Sequence, residues 1–259
     1  MTIEDEKRVQ VHVPYPILLE RLGEVLAERI NPEVYMDGAA LENASASDLE
    51  RIRRELAAAG LRITMHGPYM NVNPGSSNEE TRLHTVDRYA KTFEAASVLR
   101  PVNIVLHAGY DAGRFRGGPA QWMEQSMKTW PRFVRRAEDL GVTIAAENIF
   151  ETGPSTLKAL VRELGSPNFR VCLDSGHLSV FSGVPLEEWF RELGPDIAEV
   201  HLHDNRGGAD EHLPIGEGVI DFPLFFRLLE RYASGPVYTI EPHGEEVMRR
   251  AIKAVRAYL

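Results

Sequence analysis

The sequence has little cysteine and no long apolar run. Its 259 residues include one cysteine, Cys172, which excludes an intramolecular disulfide and any cysteine-rich zinc or iron–sulfur site. No apolar run approaches the roughly 18 residues that a membrane span requires. The first residues, MTIEDEKR, contain no apolar segment of a secretory signal. We therefore expect a cytoplasmic protein with no membrane partner.

Basic residues are also fewer than acidic residues. Lys and Arg number 29 against 38 Asp and Glu, so the net charge is −9. Phosphate backbones are bound by clustered Lys and Arg, so this charge argues against nucleic acid as a partner. It does not exclude nucleic acid, because a local patch or a bound metal can override the global sign.

Short apolar runs alternate with longer segments of helical period. The predicted strands are Val9–Val13, Glu33–Met36, Arg62–Met65, Asn103–Leu106, Thr143–Ala146, Arg170–Leu173, Ala198–Val200 and Val237–Ile240. Several of them, such as VNIVL and VTIAA, are almost continuously apolar, which is typical of strands buried on both faces of a parallel sheet. The predicted helices include SDLERIRRELAAAG and MKTWPRFVRRAEDLG, whose final glycines, Gly60 and Gly141, suit helix C-termini.

This alternation predicts an α/β fold. Eight strand–helix units in 259 residues give about 32 residues per unit, the size of a (β/α)8 TIM barrel. A doubly wound open sheet is the alternative, but that fold usually carries a glycine-rich phosphate turn after its first strand. The run VHVPYPILLE has no glycine at that point. We predict a single barrel domain over residues 1–259.

Six consecutive predicted strands are followed by a residue that can bind a metal. These residues are His66, His107, Glu147, Asp174, His201 and Glu241, and the loops add His177, His203, Asp204, Asp210 and His212. The carboxyl ends of barrel strands share one face, where the active sites of such barrels lie. Imidazole and carboxylate ligands without thiolates suit Mn, Zn, Fe or Co, and a carboxylate-rich set also suits Mg. The pattern predicts a divalent metal site at this face.

The individual residues differ in how strongly they indicate a metal. Glu147 follows an apolar strand, where a carboxylate needs a strong partner, and the same reasoning applies to Asp174 and Glu241. A lone histidine at a strand end is more often a hydrogen-bonded polar residue. The loop residue His177 would either bind a metal or hydrogen-bond Asp174.

Longer motifs resemble a known superfamily. The runs MHGPYMNVNPG, VLHAGY, AAENIF, VCLDSGHLSVFSG, VHLHDNRGGADEHLPIGEGVIDF and TIEPHG resemble the xylose isomerase-like TIM barrel superfamily, from about Arg62 to Glu241. That superfamily includes sugar and sugar-phosphate isomerases and epimerases, and also endonuclease IV, the AP endonuclease family 2. The motifs are specific for the superfamily and much less specific for one activity.

The resemblance to the sugar epimerases implies one divalent ion held by Glu147, Asp174, His201 and Glu241. The two glutamates would act as acid and base on a ketose or sugar phosphate, while the metal stabilises the enediolate oxygen as a Lewis acid. The residues predicted to contact the substrate are His66, His107, His177, Asp204 and Arg206, with Arg114 and Arg116 as further candidates for binding a phosphate or carboxylate.

The resemblance to endonuclease IV implies a second possibility, three zinc ions and hydrolysis at abasic DNA. Its nine ligands match His66, His107, Glu147, Asp174, His177, His201, Asp210, His212 and Glu241, and Tyr69 and Met70 occupy the place where that enzyme inserts residues at the lesion. However, His203 stands where endonuclease IV tends to have Asn, and ENIFETG departs from its ENxAGxG pattern. We therefore predict a small-molecule sugar substrate and one ion rather than three, with the endonuclease as the alternative.

Two questions stay open at the sequence level. A barrel that binds a sugar without catalysis would carry the same motifs. Related enzymes are often dimers or tetramers, but no residue decides whether this chain forms a homo-oligomer.

Overall fold

A computed structural model describes residues 9–113, 115 and 118–258 of the chain. Its eight parallel strands close into a barrel in the order in which they occur in the sequence. They are β1 Val9–Pro14, β2 Asn31–Tyr35, β3 Thr64–His66, β4 Asn103–His107, β5 Thr143–Glu147, β6 Phe169–Asp174, β7 Ile197–Leu202 and β8 Val237–Ile240. Because β1 pairs with β8 through Val11 and Ile240, the predicted barrel is confirmed and the open sheet is excluded.

Helices surround the barrel. They are α1 Tyr15–Ala27, α2 Gly38–Asn43, α3 Ala46–Ala58, α4 Glu79–Leu99, α5 Gly118–Leu140, α6 Ser155–Leu164, α7 Ser175–Phe181, α8 Leu186–Leu193, α9 Phe222–Tyr232 and α10 Glu245–Val255, with a 3-10 turn at Gly194–Asp196. Beyond α3 and α5, Gly60 and Gly141 have left-handed φ angles of 70° and 67°, as predicted. No helix in the described part of the chain is long and apolar enough to cross a membrane.

Some element boundaries differ from the prediction. β3 begins at Thr64 rather than Arg62, whose N–H donates to the side chain of Asn31 at 2.9 Å instead of joining the strand ladder. α5 begins at Gly118, upstream of the predicted Met127. That the barrel domain includes residues outside the described ranges stays a prediction.

The barrel interior below the carboxyl ends of the strands is largely polar. Buried side chains there include Gln10, Thr64, Asn103, Glu199 and Thr239. The Glu199 carboxylate accepts hydrogen bonds from Asn103 at 2.9 Å and from the hydroxyl of Thr239. Burial, together with the charge of Glu33, raises the pKa of Glu199 to about 7. A small apolar cluster of Val105, Ala145 and Cys172 lies apart from the main core.

Candidate functional site

Strand register brings the predicted ligands to one level of the barrel. His107 on β4 pairs with Glu147 on β5, and Asp174 on β6 pairs with His201 on β7. Glu241 directly follows β8. Side chains alternate along a strand, so paired residues of neighbouring strands point to the same side. These side chains therefore meet at the mouth, the end of the barrel formed by the carboxyl ends of the strands.

The first cluster consists of Glu147, Asp174, Glu241 and His201. The Nδ1 atom of His201 lies 3.2 Å from Oε1 of Glu241, 3.4 Å from Oε1 of Glu147 and 3.8 Å from Oδ2 of Asp174. This nitrogen is buried and has no hydrogen-bond partner within the described ranges. An unpaired imidazole nitrogen that faces three carboxylate oxygens fits a divalent cation. The structure thus brings together the four residues predicted to hold one ion.

A second cluster shares Glu147 with the first. The Nε2 atoms of His66 and His107 each lie 3.2 Å from Oε2 of Glu147. The third cluster lies nearer to solvent, where Oδ2 of Asp210 is 3.0 Å from Nε2 of His212 and 3.4 Å from Nε2 of His177. All nine sequence-predicted ligands therefore belong to one of three adjoining clusters, and their roles as ligands stay predictions.

Three of these histidines are oriented by main-chain carbonyl groups. The Nδ1 atoms of His66, His177 and His212 lie 2.7, 2.9 and 3.1 Å from the carbonyl oxygens of Gly67, Asn148 and Glu241. A carbonyl oxygen only accepts, so each Nδ1 donates its proton. In the neutral ring, Nε2 then offers its lone pair to the cluster, as a metal ligand requires.

The carboxylates of the site stabilise positive charge on the neighbouring histidines. Although burial opposes protonation, the hydrogen bond with Glu147 and the charge of Glu33 raise the pKa of His66 to about 9. Burial likewise opposes protonation of His212, but the hydrogen bond with Asp210 and the charge of Glu241 raise its pKa to about 9. A divalent cation bound here would neutralise the carboxylates instead and displace the protons of these two histidines.

Asp204 lies buried beside the site and holds a loop. Its two carboxylate oxygens accept the backbone N–H groups of Asn205, Gly216, Gly218 and Ile220 at 2.8 to 3.2 Å. A Cβ atom on Gly218 would lie 2.2 Å from the Asp204 carboxylate, so only glycine permits this approach. The predicted substrate contact of Asp204 is untested, and these hydrogen bonds indicate a role in shaping the mouth.

The predicted arginines lie outside the three clusters or outside the described residues. Arg206 is exposed and pairs with Glu211 of the same loop. Arg114 and Arg116 lie outside the described residues, so the structure does not place them. A phosphate-binding role for any of these arginines stays a prediction.

An aromatic stack lines one side of the mouth. Tyr69 is stacked between Tyr35, with ring centroids 5.2 Å apart, and His107, with centroids 5.5 Å apart. Tyr69 and its neighbour Met70 are both exposed. The stack therefore offers an apolar surface beside the second cluster.

Sequence reasoning missed two residues of the site, His12 and Glu33, and did not predict the contacts of a third, His203. Glu33 on β2 lies beneath the first cluster, and His12 on β1 lies beside it at the mouth, with its Nδ1 2.8 Å from Oε1 of Glu33 and 3.4 Å from Oε1 of Glu241. His203 was noted only as a loop residue, but its Nε2 lies 2.9 Å from Oδ2 of Asp174 and its Nδ1 lies 3.6 Å from Oδ1 of Asp210. An acidic residue inside a strand needs a partner when buried, but this signal was hidden for Glu33 because the predicted strand begins at that residue.

Comparison with known proteins gives the family. The family model described as xylose isomerase-like TIM barrel matches residues 32–258. The protein MJ1311 of Methanocaldococcus jannaschii is 32% identical over 200 residues, which are 74% of this chain and 67% of that protein.

Two further similarities concern epimerases. The L-ribulose-5-phosphate 3-epimerase UlaE of Shigella sonnei is 28% identical over 193 residues, 71% of this chain and 64% of that enzyme. The crystal structure of a D-tagatose 3-epimerase-like protein matches with a TM-score of 0.81 and 25% identity over 96% of both chains. From the match of the family model, this chain belongs to the xylose isomerase-like TIM barrel family.

Proposed function

We propose that this protein is a divalent-metal-dependent isomerase or epimerase of a ketose or sugar phosphate. The observation that carries the proposal is the first cluster, where the unpaired Nδ1 of His201 faces three carboxylates. The similarity to a ribulose-phosphate epimerase and to a tagatose epimerase-like protein supports a sugar as the substrate.

Glu147, Asp174, His201 and Glu241 would hold the cation. Their oxygen and nitrogen donors suit Mn, Zn, Co or Mg. The buried thiol of Cys172 contacts His201, but burial raises the pKa of that thiol well above its ordinary value, so it is not a thiolate ligand. When bound, such a cation polarises a carbonyl group and makes the neighbouring C–H bond more acidic.

Glu147 and Glu241 are suited to move the proton of that C–H bond. Their Oε1 atoms lie 3.4 and 3.2 Å from the same nitrogen of His201, and they approach from β5 and from the end of β8. One carboxylate removes the proton from the carbon beside the carbonyl, and the other returns a proton to the opposite face. The carbon is then inverted with no net change in atoms, which is an epimerisation.

The remaining predicted residues would position the sugar. His66, His107 and His177 surround Glu147, each with a ring nitrogen within 3.4 Å of its carboxylate. Because these imidazoles lie so close to Glu147, their N–H groups and lone pairs would bind sugar hydroxyls near the reacting carbon. Arg206, which is exposed at the mouth, would reach a phosphate on the far end of the substrate.

Deuterium exchange tests the reaction. The metal-loaded protein in D₂O, incubated with unphosphorylated ketoses and with L-ribulose 5-phosphate, should incorporate deuterium at the carbon that is inverted. Glu147→Gln and Glu241→Gln should each reduce the exchange at least a hundredfold, because general acid–base groups contribute about 10² to 10⁴ in rate. Glu230→Gln, on the exposed surface of α9, is the control and should exchange like the wild type.

Two results would contradict the proposal. The first is a protein that binds no divalent cation, and the second is a cation-loaded protein that exchanges no proton of any ketose. Retained sugar binding in the second case would indicate a barrel that binds sugars without catalysis.

A second candidate, a zinc-dependent AP endonuclease, is favoured by one observation. All nine ligand types of endonuclease IV lie in the three adjoining clusters, which leaves room for more than one ion. Metal-dependent cleavage of a duplex with an abasic site, together with three zinc ions per chain, would favour this candidate. One ion per chain without cleavage would favour the epimerase.

A further inference from the structure

Glu33 lies directly beneath the first cluster and is fully buried on β2. Both of its carboxylate oxygens contact an imidazole. Oε1 is 2.8 Å from Nδ1 of His12, and Oε2 is 3.3 Å from Nε2 of His201. One buried carboxylate therefore joins a residue of the candidate metal centre to a residue at the mouth.

The chemistry of a carboxylate fixes which ring nitrogens carry protons. An ionised carboxylate only accepts hydrogen bonds, so both imidazoles must donate to it. His201 then carries its proton on Nε2, and in the neutral ring Nδ1 keeps its lone pair. His12 carries its proton on Nδ1, and Nε2 keeps its lone pair. The same group sets opposite tautomers in two rings.

For His201, this tautomer is the one that the cluster requires. Its Nδ1 faces the oxygens of Glu147, Asp174 and Glu241 and has no other partner in the described chain. In His66, His177 and His212, a main-chain carbonyl group accepts the proton of Nδ1 and so leaves Nε2 facing the cluster. His201 sits deeper in the barrel, where a side chain of β2 takes over that role.

For His12, the tautomer leaves an acceptor at the mouth. The ring is partly exposed and stacks on Tyr35 with centroids 5.1 Å apart, and its Nδ1 also lies 3.4 Å from Oε1 of Glu241. Within the described ranges, the contacts of the ring give Nε2 no hydrogen-bond partner. The ring lies beside the proposed acid–base Glu241 through its Nδ1 edge, and the lone pair on Nε2 is left to accept a hydrogen bond from a substrate hydroxyl group.

We propose that Glu33 is a positioning residue that presents Nδ1 of His201 to the cation and Nε2 of His12 to a substrate hydroxyl. This inference rests on the proposed metal-dependent function. It adds a substrate-binding residue, His12, that accepts a hydrogen bond from a hydroxyl on the reacting part of the sugar.

The tautomers can be measured in the wild-type protein. Histidine labelled with ¹⁵N in the zinc-loaded protein at pH 8 should show a proton on Nε2 of His201 and on Nδ1 of His12, with the signals assigned by single His→Gln variants. A proton on Nδ1 of His201, or on Nε2 of His12, overturns the inference. Because the spectrum is recorded on the wild type, it decides the question even if Glu33 variants fail to fold.

Two variants test the consequence for binding. Glu33→Gln keeps the size of the side chain, but its NH₂ group donates and cannot accept, so only one of the two rings can keep the tautomer proposed for it. Metal affinity measured by calorimetry should fall about 10- to 100-fold, the effect expected for the outer partner of a metal ligand. Glu199→Gln is the matched control, because this buried carboxylate also lies close to His201 but hydrogen-bonds Asn103 and Thr239, so the change removes a nearby carboxylate without removing a hydrogen bond to His201.

The outcomes separate this inference from the proposed function. An affinity of Glu33→Gln within threefold of wild type, or an equal loss in Glu199→Gln, overturns the role of Glu33. A larger loss in Glu33→Gln than in Glu199→Gln supports it. A wild-type protein that binds neither Mn²⁺ nor Zn²⁺ refutes the metal-dependent function itself, whereas cation binding with the opposite tautomers refutes only the inference.

Discussion

Replacing Gly176 by alanine should disrupt the packing of His203 in the site. Gly176 lies in the first turn of α7, and an added Cβ would lie 1.9 Å from Cε1 and 2.4 Å from Nδ1 of that ring. The ring is held in place because its Nε2 is 2.9 Å from Oδ2 of Asp174 and its face stacks on His212 at 3.9 Å between centroids. The ring must therefore move and lose its contact with the carboxylate.

The expected cost is the sum of two effects. A hydrogen bond to a charged group contributes about 1.5 to 3 kcal/mol to the free energy of unfolding. Forcing an extra methyl into a packed interior costs about 1 to 3 kcal/mol more. We expect Gly176→Ala to lower the free energy of unfolding by about 2.5 to 6 kcal/mol, a large part of the about 5 to 15 kcal/mol typical of proteins.

Urea denaturation measures this loss, and Gly23→Ala provides the control. Gly23 lies within α1, where an added Cβ meets nothing within 4 Å, so alanine there should stabilise the protein by about 0.5 to 1 kcal/mol. In a His203→Ala background, Gly176→Ala should cost less than about 1 kcal/mol, because the clashing ring is absent. An equal cost in both backgrounds, or a near-neutral Gly176→Ala in the wild type, would refute this account of the packing.

Three further predictions concern charge. The pKa values of His66 and His212 are raised to about 9, so the folded metal-free protein binds these protons more tightly than the unfolded chain does. The free energy of unfolding of the metal-free protein should therefore fall between about pH 6.5 and 9, while its affinity for the metal rises. Calorimetry in buffers of different ionisation enthalpy should detect the protons that the cation releases. Burial raises the pKa of Glu151 to about 7, so Glu151→Gln should stabilise the protein by about 3 kcal/mol at pH 8 and by little at pH 4 in urea titrations. Asp204→Ala should lower the free energy of unfolding by about 3 kcal/mol or more, because it leaves backbone N–H groups without their acceptor; a loss below 1 kcal/mol would contradict the loop-holding role.

The barrel and the positions of the ligand residues could be predicted because both depend on local pattern. Apolar runs mark the strands, and a residue able to bind a metal after six of the eight runs marks their carboxyl ends. Glu147 illustrates this, since it follows TIAA and lies at the mouth in the structure. In a closed parallel barrel, the end of a strand is enough to place a residue at the mouth.

Glu33 and His12 could not be placed in this way. The sequence predicts a second strand that begins at Glu33, and the first residue of a strand is commonly exposed. In the structure β2 begins at Asn31, so Glu33 lies inside the strand and points inward, opposite His12 of β1. The predicted start of this strand thus hid the burial of Glu33, whereas His12 lies inside the predicted first strand and its residue type does not tell which face of that strand points inward.

The functions of loop residues depend on contacts that are distant in the sequence. Asp204 accepts N–H groups as far away as Ile220, and His203 joins Asp174 to Asp210. Neither set of contacts follows from residue type or spacing, because the path of the loop between these residues decides them. Residue type indicates the chemistry of a loop residue, and only the fold determines its partners.

One shared residue and one bridging histidine make the three clusters one electrostatic unit. Glu147 faces His201 in the first cluster and the imidazoles of the second, and His203 connects Asp174 of the first cluster with Asp210 of the third. Charges at such short distances in a buried site interact strongly. A cation in the first cluster therefore neutralises Glu147, which the second cluster would also use, and repels a cation in either of the other two clusters. Any further ions should bind with successively lower affinity, with the first ion at His201, where three carboxylates converge.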